Sequence, residues 1–193
     1  FDQIAALREI ASFETRSRGI HIHRDIYFDS PDLLLFRSKA VFRLRESRKG
    51  RMLTFKAQAA GGGDFYRRFE VETPVDVSVK DIESGVMPLV PPVEELRKRI
   101  GNIPLAPALT VENHRRVIML SRTGVPRFEL DMDDVVFIGP RGTAETLELE
   151  VESLGWEDAS LRDIGAWLRE RFELEPAGPS KYILGMEMVG NKG

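Results

Sequence analysis

The chain has 193 residues, 42% of them hydrophobic and 31% charged, enough apolar material for a single domain with its own core. A formal net charge of -3 excludes the global basic field of a nucleic-acid binder. The absence of cysteine excludes disulfides, thiolate metal sites and cysteine nucleophiles. No apolar run approaches membrane-spanning length and no signal peptide is read, so a cytoplasmic protein without membrane partners is expected.

Ile4, Leu7 and Ile10 at helical spacing predict a short helix within residues 2–12. His21 to Phe28 reads as a strand that ends at the turn cluster Asp29-Ser30-Pro31-Asp32. Leu33 to Phe36 is a short apolar segment, and Ala40 to Glu46 alternates as a strand. Ser47 to Arg51 is a polar turn, Arg51 to Gln58 a strand, and Gly61-Gly62-Gly63 with Asp64 a hairpin loop. The glycine run lacks the Lys-Ser/Thr of a phosphate loop, so it reads as a hairpin and not as an anion cradle. Phe65 to Thr73 is a strand closed by Pro74.

The middle changes character. Val93, Leu96 and Ile100 share one side of a helix after Pro91-Pro92. Strands resume at Thr110–Leu120, Val125–Asp133, Val135–Ile138 and Glu145–Ser153. Leu161, Ile164, Leu168 and Phe172 mark a last amphipathic helix, and Ser180 to Val189 reads as a final strand. Many consecutive strands without a βαβ rhythm imply an antiparallel sheet with helices outside it.

Side chains two apart on a strand share a face, and the charges repeatedly obey that spacing. Arg43 and Arg45 lie opposite Phe42 and Leu44; Thr54 and Lys56 lie opposite Leu53 and Phe55. Arg68, Glu70 and Glu72 form another such face, as do Glu129, Asp131 and Asp133, and Glu148, Glu150 and Glu152. Charges of one sign are stacked. Arg43 and Arg45 stand roughly 6.8 Å apart along the strand, where an effective dielectric near 20 gives a repulsion of about 2–2.5 kcal/mol. A solvated face splays such pairs apart and has little reason to repeat them. Arginine forks and lysine suit phosphate oxygens, and grouped carboxylates suit Mg²⁺ or Mn²⁺. Periodicity leaves two readings open: a wet face, or the lining of a pore. His21 and His23 share a strand face, but with no cysteine and no third histidine nearby they read as surface residues and not as a zinc site. Trp167 reads as packing, and Trp156 as a loop or packing residue.

Tyr27-Phe28-Asp29-Ser30-Pro31-Asp32, Phe42-Arg43-Leu44-Arg45 and Leu53-Thr54-Phe55-Lys56 follow one another in an order that resembles the CYTH, or triphosphate tunnel metalloenzyme, family. Arg68-Phe69-Glu70-Val71-Glu72, Arg115-Arg116, the Glu129-to-Asp133 strand, Leu147-Glu148-Leu149-Glu150 and Ser180-Lys181-Tyr182 continue the resemblance to about Gly185.

The resemblance implies one domain over 1–193, an eight-stranded antiparallel β-barrel tunnel with peripheral helices, and charged faces turned inward. It implies hydrolysis of a triphosphate, inorganic triphosphate first. The alternatives are a class IV adenylyl cyclase and a noncatalytic polyphosphate-binding module. Mg²⁺ or Mn²⁺ is the implied cofactor, and a triphosphate or nucleotide the implied substrate. Long strand edges also allow a homodimer. Carried over by position, Arg43, Arg45, Lys56, Arg68 and one of Arg115 or Arg116 bind phosphates. Glu148 and Glu150, with Asp131 and Glu152, bind metal. Lys181, Glu70, Glu72 and Asp133 serve catalysis, with Asp131 and Asp133 interchangeable at the metal-side acid. The family's first strand, Glu-x-Glu-x-Lys, is not found in residues 1–193; it is expected either upstream of Phe1 or as a strand this member has lost, with two metal carboxylates and a lysine.

Overall fold

The computed structural model describes residues 1–58, 68–155, 158–176 and 180–190, without the side chains of Gln58, Arg68, Asp158 and Ala159. The glycine hairpin at 61–63 and Trp156 lie outside the described residues. Two compact units emerge. The first comprises Phe1–Ile22, Asn113–Val135 and Glu145–Ala177; the second comprises His23–Glu112, Val136–Ala144 and Gly178–Gly193.

The strands are β1 Glu9–Ile10, β2 Phe13–Asp29, β3 Ala40–Ser47, β4 Gly50–Gln58, β5 Arg68–Val75, β6 Ala106–Arg122, β7 Val125–Gly139 and β8 Gly142–Ser153. The helices are α1 Asp2–Ala5, α2 Leu34–Arg37, α3 Val79–Glu83, α4 Pro91–Ile100, α5 Asp158–Phe172 and α6 Lys181–Val189. All eight strands join one antiparallel sheet in the order β5-β4-β3-β2-β6-β7-β8, with β1 paired to β2. The expected α+β class with mainly antiparallel β-structure is therefore observed, and β5 and β8 end the strand path.

In the second unit, one face of β2–β4 supplies Ile26, Phe28, Phe42, Leu44, Leu53 and Phe55 to a core. Leu35 of α2, Ile82 of α3, and Val93 and Leu96 of α4 join that core. These strand residues are the even positions of β2 and β3 and the odd positions of β4, so the period-2 pattern places every intervening side chain on the other face. Local chemistry fixes the helices. Ser78 and Asp81 form a reciprocal capping box on α3. Prolines occupy the first two positions of α4, where their missing N–H groups cost nothing.

In the first unit, Phe128, Leu130 and Met132 of β7 and Ile118 and Leu120 of β6 pack with Ile164 and Leu168 of α5. Trp167 packs against this core and carries the Arg171 guanidinium 4.1 Å from its ring centroid, as expected of a packing residue.

Three expectations about elements need correction. The helix expected within 2–12 stops at Ala5. Ile10 instead pairs with Phe13 across Ala11-Ser12, a two-residue turn with φ of 49° and 66°, the mirror-image geometry that suits hairpins. The strands expected at 125–133 and 135–138 are one continuous β7. Residues 180–189 are not a strand; they form α6, with the Ser180 hydroxyl accepting from the Ile183 N–H. Tyr182, Gly185, Met186 and Val189 are its buried residues, a helical spacing that the β-forming Tyr182, Ile183 and Val189 obscure in sequence.

Gly185 lets α6 approach its neighbours closely. A Cβ there would sit 2.5 Å from Leu109 Cδ2 and 2.6 Å from Phe137 Cδ1. Alanine normally favours a helix by about 1 kcal/mol over glycine, but overpacking a filled core costs about 1–3 kcal/mol. Gly185→Ala is expected to destabilise the protein by about 1–2 kcal/mol in urea unfolding. A stabilised variant would show that α6 packs more loosely.

Candidate functional site

The register of β2–β5 builds a row of polar groups on the face opposite the second unit's core. Tyr27 pairs with Arg43, Arg43 with Thr54, and Thr54 with Glu72. One step along, Asp25 pairs with Arg45; one step the other way, Lys56 pairs with Glu70. Side chains of directly opposed residues meet. Arg43 is only 6% exposed. It donates to Asp25 Oδ2 at 3.0 Å, Thr54 Oγ1 at 3.2 Å and Glu72 Oε1 at 3.3 Å. Arg45 forks onto Asp25, Nε to Oδ1 at 2.7 Å and a terminal nitrogen to Oδ2 at 2.8 Å. Lys56 Nζ lies 2.7 Å from Glu70 Oε1.

Asp25 is the fixed point of this cluster and has no exposed surface. Burial alone would raise its pKa, but the Arg43 charge and the hydrogen bond and charge of Arg45 outweigh burial and hold it at about 2. Burial and the neighbouring Arg43 charge lower Lys56, against the opposing pull of Glu70 and Glu72. Burial would raise Glu70, but the hydrogen bond and charge of Lys56 win and lower it. His23, expected at the surface, is buried, with Nε2 3.9 Å from Asp25 Oδ2.

Beyond the row, Tyr27 and Tyr182 stack with centroids 5.1 Å apart and rings 10° from parallel. The Tyr182 hydroxyl donates to Asp29 Oδ2 at 2.8 Å. Asp29 also accepts the backbone N–H groups of Ser30, Leu35 and Phe36, which ties the turn after β2 to α2. Lys181 lies near enough to Tyr27 for its charge to favour the ionised phenol, against the burial that raises the group.

The first unit gathers the opposite chemistry. Arg115 on β6 donates through Nε and a terminal nitrogen to the two oxygens of Asp133, each at 2.7 Å. It also donates to Glu150 Oε2 at 3.0 Å and to Asp131 Oδ2. Asp131, Glu150 and Glu152 each offer a carboxylate oxygen within 4.8 Å of the others. Burial raises Asp131 to about 7; Arg115 opposes this, while the charges of Glu129, Asp133 and Glu152 add to it.

The donor set fits a hard divalent cation, and one atom supports that fit independently. Asp131 Oδ1 is buried without a hydrogen-bond partner, an acceptor that a cation would satisfy.

The model of the CYTH domain matches residues 3–176. The chain belongs to the CYTH family. Solved structures share the fold of this CYTH domain. A Bacillus halodurans protein assigned as an adenylate cyclase has a TM-score of 0.66 at 19% identity, covering 86% of this chain and 81% of that one. A Hippeastrum protein assigned as an adenylyl cyclase, with a dominant triphosphatase activity, has a TM-score of 0.64 at 14% identity, covering 95% and 88%. A Pyrococcus horikoshii protein has a TM-score of 0.52 at 20% identity, covering 91% and 87%. Comparison with curated proteins gives no match.

The sequence-expected residues of the CYTH domain distribute as follows. Arg43, Arg45, Lys56, Glu70 and Glu72 converge in the second unit, and Arg115, Asp131, Asp133, Glu150 and Glu152 in the first. Of the two arginines expected at a phosphate, Arg115 lies among the carboxylates and Arg116 turns to Asp2 of α1 at 3.0 Å. Glu148 stays outside the three-carboxylate group, which takes Glu152 and Asp131 with Glu150. Arg68 has no described side chain. Asp25, Thr54 and Tyr27 were not among the expected site residues. The sequence signal for Asp25 and Tyr27 was their alternation with the buried Ile26 and Phe28.

Asp25 gives an acid signature. Its folded pKa of about 2 lies below the ordinary aspartate value of 3.8. A depressed carboxylate stabilises the fold above its unfolded value, and that contribution is lost as pH falls through the folded value. The window is therefore about pH 4 down to 2, worth on the order of 2 kcal/mol. Asp25→Asn is expected to lose at least about that much at pH 7 and to flatten the acid fall in urea titrations at pH 7, 4 and 2.5. An Asn variant as stable as wild type would contradict the assignment of Asp25 as the fixed point.

Proposed function

We propose that this CYTH domain is a metal-dependent triphosphatase with inorganic triphosphate as its preferred substrate. One buried atom in each unit's ionic cluster supports the reading. Among the described residues, Arg43 Nε in the cationic cluster meets no acceptor in hydrogen-bond geometry, and Asp131 Oδ1 in the carboxylate cluster meets no donor. Each such atom costs about 1–3 kcal/mol when left unsatisfied. A phosphate oxygen would answer the first and a divalent cation the second.

In this reading Arg43, Arg45 and Lys56 hold phosphate oxygens, the arginines as planar forks and the lysine as a point charge. Arg68 belongs with them by resemblance. Phosphoryl transfer needs mostly positioning and charge stabilisation, and a cationic row anchored on a buried carboxylate supplies both. Glu70 and Glu72 occupy Lys56 and Arg43 in the ligand-free protein, so an arriving phosphate displaces them and leaves two carboxylates beside the anion to orient water.

Asp131, Glu150 and Glu152 would hold Mg²⁺ or Mn²⁺, with Glu148 next to them on β8. When bound, the metal neutralises phosphate charge. Asp133 gives both oxygens to Arg115, so the pair acts by aligning the carboxylates and offsetting their mutual repulsion. Lys181 adds a cation from the first turn of α6.

Phosphate release from inorganic triphosphate tests the proposal with the full chain. Wild type is expected to require Mg²⁺ or Mn²⁺, and Lys56→Ala and Glu150→Gln are each expected to lose about 100-fold or more in kcat/KM. Metal-dependent hydrolysis undiminished in Glu150→Gln would remove Glu150 from the site. Cyclic AMP formed from ATP would assign the cyclase reaction instead, and tight triphosphate binding without turnover would make the domain a binding module.

A further inference from the structure

Lys181 sits at the first position of α6, where a cation opposes the helix dipole. Helix formation therefore does not explain this lysine. The residue after it is tied down from three directions. The Tyr182 ring stacks on Tyr27 and meets the edge of Phe36, centroids 6.1 Å apart at 90°. Its hydroxyl reaches Asp29, and Asp29 is itself locked by three backbone N–H groups. Tyr182 is 1% and Asp29 2% exposed, so neither competes with water for the contact. Tyr27, the stacking partner, opposes Arg43 in the strand register. Aromatic stacking of this kind fixes a ring in two directions, and the hydroxyl contact fixes the third.

We propose that Tyr182 and Asp29 are positioning residues for Lys181. Their hydrogen bond, with the Tyr182–Tyr27 stack, holds the first turn of α6 and so the backbone from which Lys181 reaches toward Tyr27. This rests on the reading of Lys181 as a phosphate ligand. The device joins three distant stretches of the chain: the end of β2, the turn into α2, and the start of α6. It explains why a tyrosine follows the lysine: phenylalanine would fill the same volume but leave the Asp29 oxygen and the helix start unconnected.

The test is a double-mutant cycle on triphosphate affinity, read by calorimetry with full-length protein and Mg²⁺ under non-turnover conditions. Tyr182→Phe keeps the stack and removes the hydroxyl. It is expected to weaken triphosphate binding at least about fivefold, part of the value of one charge-assisted hydrogen bond, and to have no further effect in a Lys181→Met background. Equal weakening in both backgrounds, or none with Lys181 present, overturns the proposal. Asp29→Asn provides a second variant, which also disturbs the Phe36 N–H contact; its effect on triphosphate binding is expected to be at least that of Tyr182→Phe and likewise to vanish in the Lys181→Met background, and an effect of equal size in both backgrounds overturns the proposal.

A ligand-free arm separates this proposal from the reading of the site. Lysines are reductively methylated with carbon-13, and the Lys181 signal is identified by its loss in Lys181→Arg. That signal is expected to move toward the free-lysine position in Tyr182→Phe; an unmoved signal overturns the positioning role. Wild type that fails to bind triphosphate sinks the reading of the site, while the methyl signal still decides what Tyr182 does.

Discussion

Asp25, a carboxylate without exposed surface, grips two guanidinium groups in the second unit, and the cationic face depends on it. Arg43 and Arg45 repel each other on β3, and both are drawn toward water. Asp25 neutralises the pair and fixes the direction of each fork. Thr54 and Glu72 complete the hold on Arg43. Stability gives no reason for such an arrangement, since replacing a buried ion network with packed apolar groups is often neutral or stabilising by about 1–4 kcal/mol. The sequence keeps arginines where phenylalanine or leucine would pack, which points to a ligand and not to the fold.

The first unit repeats the logic with the sign inverted. Carboxylates crowd on adjacent strands, and Arg115 holds them together much as Asp25 holds the arginines. One cation among these acids leaves Asp131 with an unanswered oxygen. Among the described residues, Asp25, Glu70 and Glu72 between them still leave Arg43 with an unanswered nitrogen. Each cluster is neutralised enough to fold and underfilled enough to bind.

The sequence made the faces legible and the neighbours illegible. Period-2 alternation alone separates Arg43 and Arg45 from Phe42 and Leu44, because a strand sorts its residues without regard to pairing. Burial of Arg43 then decides against a wet face. Register needs more than one strand. Asp25 meets Arg45 only because β2 and β3 pair across α2 with a particular offset, which no local pattern encodes. Arg115 and Arg116 were indistinguishable because the Val117-Ile118-Met119-Leu120 run that follows is buried at both parities. The α6 segment looked like a strand because its residues favour β-structure one by one; Ser180 at its cap and close packing at Gly185 override that preference. Glu148 and Glu152 share a face with Glu150, and only the approach of Asp131 from β7 favours Glu152.

The central claim is that the ionic faces of these strands, built on buried Asp25, Arg43, Asp131 and Asp133, are ligand surfaces, the arginine row for phosphate and the carboxylate group for metal. A crystal structure with Mn²⁺ and a non-hydrolysable triphosphate analogue tests it most directly. The expected result is anomalous density bounded by Asp131, Glu150 and Glu152, phosphate oxygens on Arg43, Arg45 and Lys56, and Glu70 and Glu72 displaced from the cations they hold. Mn²⁺ and phosphate bound elsewhere, with every one of those ion pairs intact, would contradict it.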